Sequence, residues 1–171
     1  QARPDVFLSI LPALLYYLDT AGDWVGLLTF GQVGLELAAL TGSSQEIPRI
    51  QCALAWVHGQ QGRYQEAEHA LESGLAITHQ IGDVIWQIEL LGRYSQTVRR
   101  HGELSKAEEY FRQAFKLLGA IPERQTPYIR ADLEYEMGKI ARDRGDWKTA
   151  GHYFFTARSV FSIDEDSPLF N

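Results

Sequence analysis

The sequence predicts an all-α fold, a stack of four helix hairpins instead of one core closed on itself. Three observations carry that prediction. A glycine with a bulky side chain two residues later recurs as Gly22-Asp23-Trp24, Gly62-Arg63-Tyr64, Gly102-Glu103-Leu104 and Gly145-Asp146-Trp147, at spacings of 40, 40 and 43 residues. A period of this size marks stacked repeats. Small and large side chains return at fixed offsets from each glycine, and helix-start and helix-stop residues bracket the segments between them.

The offsets have a packing reason. Seven residues before each glycine stand Leu15, Ala55, Ser95 and Gly138. Five after it stand Leu27, Ala67, Ala107 and Ala150, and twelve after it Gly34, Gly74, Ala114 and Ala157. Antiparallel helices approach closely only where facing residues are small, with large neighbours filling the groove. The large set, nine after the glycine, is Gly31, Leu71, Phe111 and Phe154. Leu15 and Leu27 break the small pattern in the first unit alone, where Gly31 breaks the large one. Compensated packing is therefore expected there.

The elements follow in order, as helices over 6–21, 24–41, 45–61, 64–81, 84–101, 104–120, 127–144 and 147–162. They give repeats 5–44, 45–83, 84–126 and 127–162 with a tail 163–171, all in one domain. The first helix holds the apolar run Val6–Leu18, bounded by Asp5 and Asp19 and containing Pro12. That run falls short of the roughly 20 residues of a membrane span and lacks the basic start of a signal peptide, so it reads as a buried helix. Each repeat glycine suits the left-handed residue that ends a first helix, and the bulky residue after it can plug the elbow. Ser43 or Ser44 is expected to cap 45–61, and Asp83 to cap 84–101. Ser105-Lys106-Ala107-Glu108 has the form of a capping box for 104–120. Thr126-Pro127 supplies a cap followed by proline at the first helical position. The three extra residues of the last interval are assigned to Ile121–Thr126, next to two prolines. The last helix carries Trp147, Tyr153, Phe154, Phe155, Val160 and Phe161, too apolar around its girth for a helix wet on one side. A further repeat, the tail or a second copy of the chain is expected to cover it, so self-association through this C-terminal helix is anticipated.

Composition excludes several functions. The chain has 171 residues, 45% apolar and 22% charged, with a net charge of −6. Its longest basic run is Arg99-Arg100, so a nucleic-acid partner is not expected, nor is a membrane. The single cysteine, Cys52, excludes an internal disulfide and a multi-cysteine zinc site and suits a cytoplasmic setting. The chain begins with Gln1, as a piece of a longer protein or a processed product would. None of the five histidines, His58, His69, His79, His101 and His152, has a His or Cys partner at ligand spacing. The carboxylate pairs Glu66/Glu68 and Glu108/Glu109 lie in first turns, where the helix dipole explains them. No phosphate loop is present. The reading is non-catalytic, with no cofactor and no metal.

The repeat resembles the tetratricopeptide repeat (TPR). The best-matching stretches are Leu54-Ala55 through Gly62-Arg63-Tyr64-Gln65-Glu66-Ala67 to Leu75, and Gly138 through Gly145-Asp146-Trp147-Lys148-Thr149-Ala150 to Ala157. The resemblance implies a right-handed α-α superhelix, a solenoid of four TPR-like hairpins. The period departs from the family's usual 34 residues, because segments such as 77–83 lengthen each second helix. Forty-residue repeats of this kind are similar to those of bacterial signal-transduction ATPases and large transcription regulators, to animal cell-polarity scaffolds and to bacterial peptide-pheromone receptors. The implied function is a protein- or peptide-binding scaffold or sensor module of a larger bacterial regulator. A small-molecule or signal-peptide receptor domain and a non-catalytic targeting subunit of an enzyme are the alternatives.

The resemblance also implies that the first helix of each repeat lines a concave groove. Carried over, the groove positions are Ser9, Pro12, Tyr16 and Asp19; Arg49, Cys52, Trp56 and Gly59; Glu89, Gly92, Gln96 and Arg99 with Arg100; and Asp132, Tyr135, Lys139 and Arg142. The expected ligand is an extended peptide or partner loop with an apolar anchor against Tyr16 and Trp56 and an acidic group near Arg99 and Arg142. The competing reading packs Trp56 on its neighbours and pairs the arginines with Glu89, Asp132 and Asp143. The Lys and Asn clamp of chaperone-tail-binding members is replaced by Cys52, Trp56, Gly92 and Gln96, so a chaperone tail is not expected.

Overall fold

The computed structural model describes residues 3–122 and 126–161, without the side chain of Phe161. The expected tail 163–171 and the middle of the linker before Thr126 lie outside the described residues. Among the described residues there are eight α-helices and no strand: α1 Pro4–Thr20, α2 Trp24–Thr41, α3 Ile47–Gln60, α4 Tyr64–Ile81, α5 Val84–Arg100, α6 Leu104–Leu118, α7 Pro127–Asp143 and α8 Trp147–Phe161. The fold is of the helical-repeat class that the glycine period predicts.

The turns explain the period. Gly22, Gly42, Gly62, Gly82, Gly102 and Gly145 have φ between 69° and 92°, a region where a Cβ is penalised. At each, the following residue donates its N–H to the carbonyl five positions back: Asp23 to Leu18, Ser43 to Ala38, Arg63 to His58, Asp83 to Thr78, Glu103 to Val98, and Asp146 to Ala141. This is the bond that closes a helix end around a left-handed residue. Gly42 and Gly82 show that the turns between repeats obey the same rule as those within them. The series skips the end of α6, where Gly119 is right-handed at φ −62° and the chain leaves the helix without a left-handed residue.

Three helices carry side-chain caps from the residue after the glycine. Asp23 accepts from the Gly26 N–H at 2.8 Å, Asp83 from Trp86 at 3.0 Å and Asp146 from Thr149 at 3.1 Å. The capping box at Ser105 does not form. The turn at Gly102 puts Glu103 in the cap position without a side-chain cap bond and starts α6 at Leu104, so Ser105 already lies in the first turn. Neither Ser43 nor Ser44 caps α3, which starts later, after Glu46, with Pro48 in its first turn. Thr126 does take the N-cap position before Pro127, but its hydroxyl makes no cap bond.

The chain forms two compact units that divide between Arg93 and Tyr94, within α5. In the first, α2 packs on α1, and α3 packs on both and on α4. Leu8, Leu11, Leu15, Leu18, Leu27, Ile50, Leu54 and Val57 form its core. The hollow at Gly31, for which compensation by Leu15 and Leu27 was expected within the first repeat, is met by a leucine of α3. A Cβ on Gly31 would lie 2.7 Å from Leu54 Cδ2, and one on Gly34 would lie 2.2 Å from Leu11 Cδ2. Leucines thus fill the hollows left by glycines. In the second unit α7 packs on α6 and α8. Ala107 and Ala114 are fully buried and Ala150 and Ala157 nearly so. Ser95 donates its hydroxyl to the Ala107 carbonyl at 2.8 Å, and Phe154 lies over Gly138.

Trp24, Tyr64 and Leu104 are half-buried behind their turns, but Trp147 is 71% exposed. Helix α2 is long and apolar enough, by length and composition, to cross a membrane. Here its small residues receive Leu11 and Leu54 from α1 and α3.

Candidate functional site

A groove of about 440 Å³ opens in the first unit, where one face of α1, one of α3 and the start of α5 converge. Helical periodicity aligns Pro12, Tyr16 and Asp19 on α1, Arg49, Cys52 and Trp56 on α3, and Trp86 and Arg93 on α5. The Trp56 indole donates its N–H to Asp19 Oδ1 at 2.8 Å, which fixes the ring. On that ring lies the Arg93 guanidinium, 4.7 Å from the centroid. The Arg49 guanidinium lies 5.3 Å from the centroid of Trp86. Each indole therefore positions one cation through its negative face. Arg49 is exposed and makes no ion pair among the described residues. Tyr16 stands at the rim, 73% exposed. A second hollow of about 620 Å³ shares Arg49 and Trp86 and continues past Glu46 to the turn at Gly82. Cys52 is buried beneath the groove; burial pushes its thiol pKa up despite the charge of Arg93. It is therefore protonated and unsuited to nucleophilic work.

The second unit treats its cations differently. Arg99, only 11% exposed, bonds Glu136 through Nε and Asp143 through Nη1, the latter at 2.7 Å. Burial alone would lower the Arg99 pKa, but the charge and hydrogen bonds of Glu136 and Asp143 raise it. Lys139 reaches Glu136 at 3.3 Å and lies 4.3 Å from the Tyr135 ring centroid. Arg142 bonds Asp143 through Nε at 2.9 Å and Nη2 at 2.8 Å. Burial raises the Asp143 carboxyl pKa, but its bonds to Arg142 and Arg99 outweigh that and hold it below the usual value. Arg100 is exposed, Gln96 is half-buried, and Tyr135 borders a hollow of about 350 Å³ with Asp132, Phe154, Ala157 and Arg158.

Of the residues predicted for the site, Tyr16, Arg49 and Trp56 are brought together in one groove. Arg99, Lys139 and Arg142 are instead drawn into one ion-pair cluster around Glu136 and Asp143. Sequence reasoning missed Trp86 and Arg93, which replace Glu89, Gly92 and Gln96 as the α5 contribution. Their separation of seven residues on one helix face was a usable signal. It also missed Glu136, three residues before Lys139 and on the same helix face.

Residues 46–119 match the family model described as tetratricopeptide repeat. Tetratricopeptide repeats in general mediate protein–protein interaction as non-catalytic scaffolds. No curated protein matches the chain. Among solved structures, it is similar to BtubC (BKLC) from P. vanneervenii, at 16% identity and a TM-score of 0.77, covering 98% of this chain and 68% of that one. It is also similar to nearly identical TPR-like repeats named for kinesin light chain from Podosopora anserina, at 17% identity, a TM-score of 0.63, and coverage of 94% and 77%. A substituted form of that protein gives a TM-score of 0.67 at the same identity and coverage. At these identities the likeness is one of fold: an all-α array of TPR-like helix hairpins.

Proposed function

We propose that the chain is a protein-docking module whose groove between α1, α3 and α5 takes an extended segment of a partner protein. An apolar side chain of that segment packs on Tyr16 and Trp56, and a carboxylate approaches Arg49 and Arg93. The observation that carries this reading is Arg49: an exposed cation held on an indole at the groove, with no anion of its own among the described residues. An arginine whose only recorded partner is a ring retains its donors for a ligand. The wider setting we propose is the sensor or scaffold part of a larger cytoplasmic bacterial signalling or transcription regulator. The similarity of the forty-residue period to the repeats of that group supports it, and a nucleotide-binding module in the same reading frame would test it.

The groove is tested by panning a displayed random-peptide library on the protein, then measuring selected peptides against variants. Selected sequences should carry Asp or Glu near an apolar residue. Trp56→Ala should weaken them about tenfold or more, the effect of losing roughly 1.4 kcal/mol, and Arg49→Ala by up to about fivefold, the roughly 1 kcal/mol of an exposed ion pair, whereas Lys148→Ala should not. Peptides without acidic residues, or indifferent to Arg49→Ala, would overturn the reading.

A further inference from the structure

Two neighbouring charges at the start of α3 stay apart where the same arrangement elsewhere pairs. Glu103 occupies the N-cap position of α6, and Lys106, three residues on, reaches it at 3.8 Å. Glu46 occupies the N-cap position of α3, with Arg49 three residues on, a spacing at which ion pairs form. The Arg49 guanidinium lies over Trp86 instead. The Glu46 side chain makes no cap bond and, among the described residues, no ion pair. Both charges line the hollow of about 620 Å³ that continues the groove between α3 and α5. Ile81, Val84 and Ile85 give that hollow an exposed aliphatic wall. Asp83 stands beside them, its Oδ1 accepting the Trp86 N–H at 3.0 Å.

We infer that this hollow takes a lysine or arginine of the partner segment, so that the segment is read in the order apolar, acidic, basic from the Trp56 end to the Glu46 end. The inference rests on the docking role proposed for the groove. The chemistry of the hollow selects the basic side chain. Glu46 is a half-buried carboxylate without a counter-ion, and Asp83 adds a second negative charge. Lysine and arginine bury their methylene stems on apolar surface and keep the charged head in water, which suits Ile81, Val84 and Ile85 with a carboxylate at their edge. An acidic side chain would meet two like charges there. The order follows from the helix. Trp56, Arg49 and Glu46 succeed one another along α3, separated by roughly 10 Å and then about 4.5 Å at a rise of about 1.5 Å per residue. An extended chain advances about 3.3 Å per residue and turns alternate side chains to one side. The base therefore falls two residues beyond the acid, the shortest separation that points both into the trough.

Panning of a displayed random-peptide library on the intact chain, then fluorescence anisotropy on synthetic copies of the selected peptides, tests the order. Selected peptides should carry Lys or Arg two residues beyond the Asp or Glu, on the side away from the apolar anchor. Replacing that base by alanine should weaken binding to the wild type about two- to fivefold, the range of an exposed ion pair. The same replacement should cost nothing on Glu46→Gln, a coupling that a general loss of charge would not produce. Panning on Glu46→Lys should return Asp or Glu at that place. Glu46 makes no cap bond, so both variants should keep the wild-type helicity by circular dichroism. Peptides that depend on Trp56 and Arg49 but carry no base, or whose base matters equally on wild type and Glu46→Gln, would overturn the inference and leave the docking reading standing. Peptides indifferent to both Trp56→Ala and Arg49→Ala would overturn the two together.

Discussion

One substitution made at two places in the last hairpin tests why the helices nest. Gly138 lies inside α7, and a Cβ there would stand 2.5 and 2.6 Å from ring atoms of Phe154. Gly151 lies inside α8 with nothing within 4 Å of its Cβ position. Alanine gains about 1 kcal/mol over glycine within a helix, so Gly151→Ala should stabilise by about that amount. At Gly138 the same gain is opposed by overpacking, which costs about 1–3 kcal/mol, and a rigid ring cannot turn aside as a leucine terminus can. The two variants should therefore differ by about 1–3 kcal/mol, or roughly 2–12 °C in Tm at 2–4 °C per kcal/mol. Urea denaturation measures the difference, and Phe154→Leu in the Gly138→Ala background should restore part of it as a coupling energy. If Gly138→Ala proved as stabilising as Gly151→Ala, the pairing of small with bulky residues would not be what seats these helices.

The ion-pair cluster and the titrating groups give three further expectations. Arg99→Ala leaves Glu136 buried with Lys139 as its remaining cation, and breaking a buried pair costs about 3–5 kcal/mol; a loss under about 1 kcal/mol by urea titration would show that the pair behaves as a surface one. Burial alone would raise the carboxyl pKa values of Asp143 and Glu108, but ion pairing with Arg142 and Arg99, and with Arg144 and Arg112, outweighs it and lowers both. Their stabilisation is complete above the ordinary values of 3.8 and 4.5 and lost as pH falls through the lower folded values, so Tm should drop in that acid range and Asp143→Asn should flatten part of the drop. Burial first, then the charge of Arg63, lowers the pKa of His58 from 6.5; the unfolded chain then binds the proton more readily, stability declines as pH falls below 6.5, and His58→Gln should remove that decline.

The fold was legible because its determinants are local and repeated. Each turn needs a left-handed residue, glycine supplies it, and the small positions sit at fixed distances from that residue. The predicted helix limits consequently differ from the observed ones by two residues or fewer. What was not legible depends on competition between neighbours. Ser105 and Glu108 satisfy the pattern of a capping box, but the Gly102 turn fixes the helix start two residues too early for them. Glu136 was missed as the counter-charge of Arg99 because it lies on another helix, whereas pairing of the arginines with Asp143 is part of the competing reading that the sequence offered. Trp86 and Arg93 were overlooked because the groove positions assigned to α5 begin at Glu89, one turn beyond the indole that meets Arg49.

The contrast between Arg49 and Arg99 also limits what the groove can hold. Arg99 has its carboxylates within its own chain and therefore holds helices together; Arg49 must take its anion from elsewhere. An ion pair in an open groove contributes about 0–1 kcal/mol, so Arg49 and Arg93 together supply about 2 kcal/mol at best. One large apolar side chain buried on Tyr16 and Trp56 adds about 1.5–3 kcal/mol. The sum, about 5 kcal/mol, lies between the 4.1 and 8.2 kcal/mol that correspond to millimolar and micromolar binding, before the cost of ordering the ligand is deducted. A single anchor is thus too weak to serve, and useful affinity requires a segment long enough to reach further along the trough, past Trp86 toward Glu46 and the Gly82 turn. Lengthening a selected peptide in that direction should strengthen binding stepwise, with a modest salt dependence set by two screened cations. Isothermal titration of a nested peptide series reads this directly, and full affinity from a dipeptide or a lone carboxylic acid would refute it.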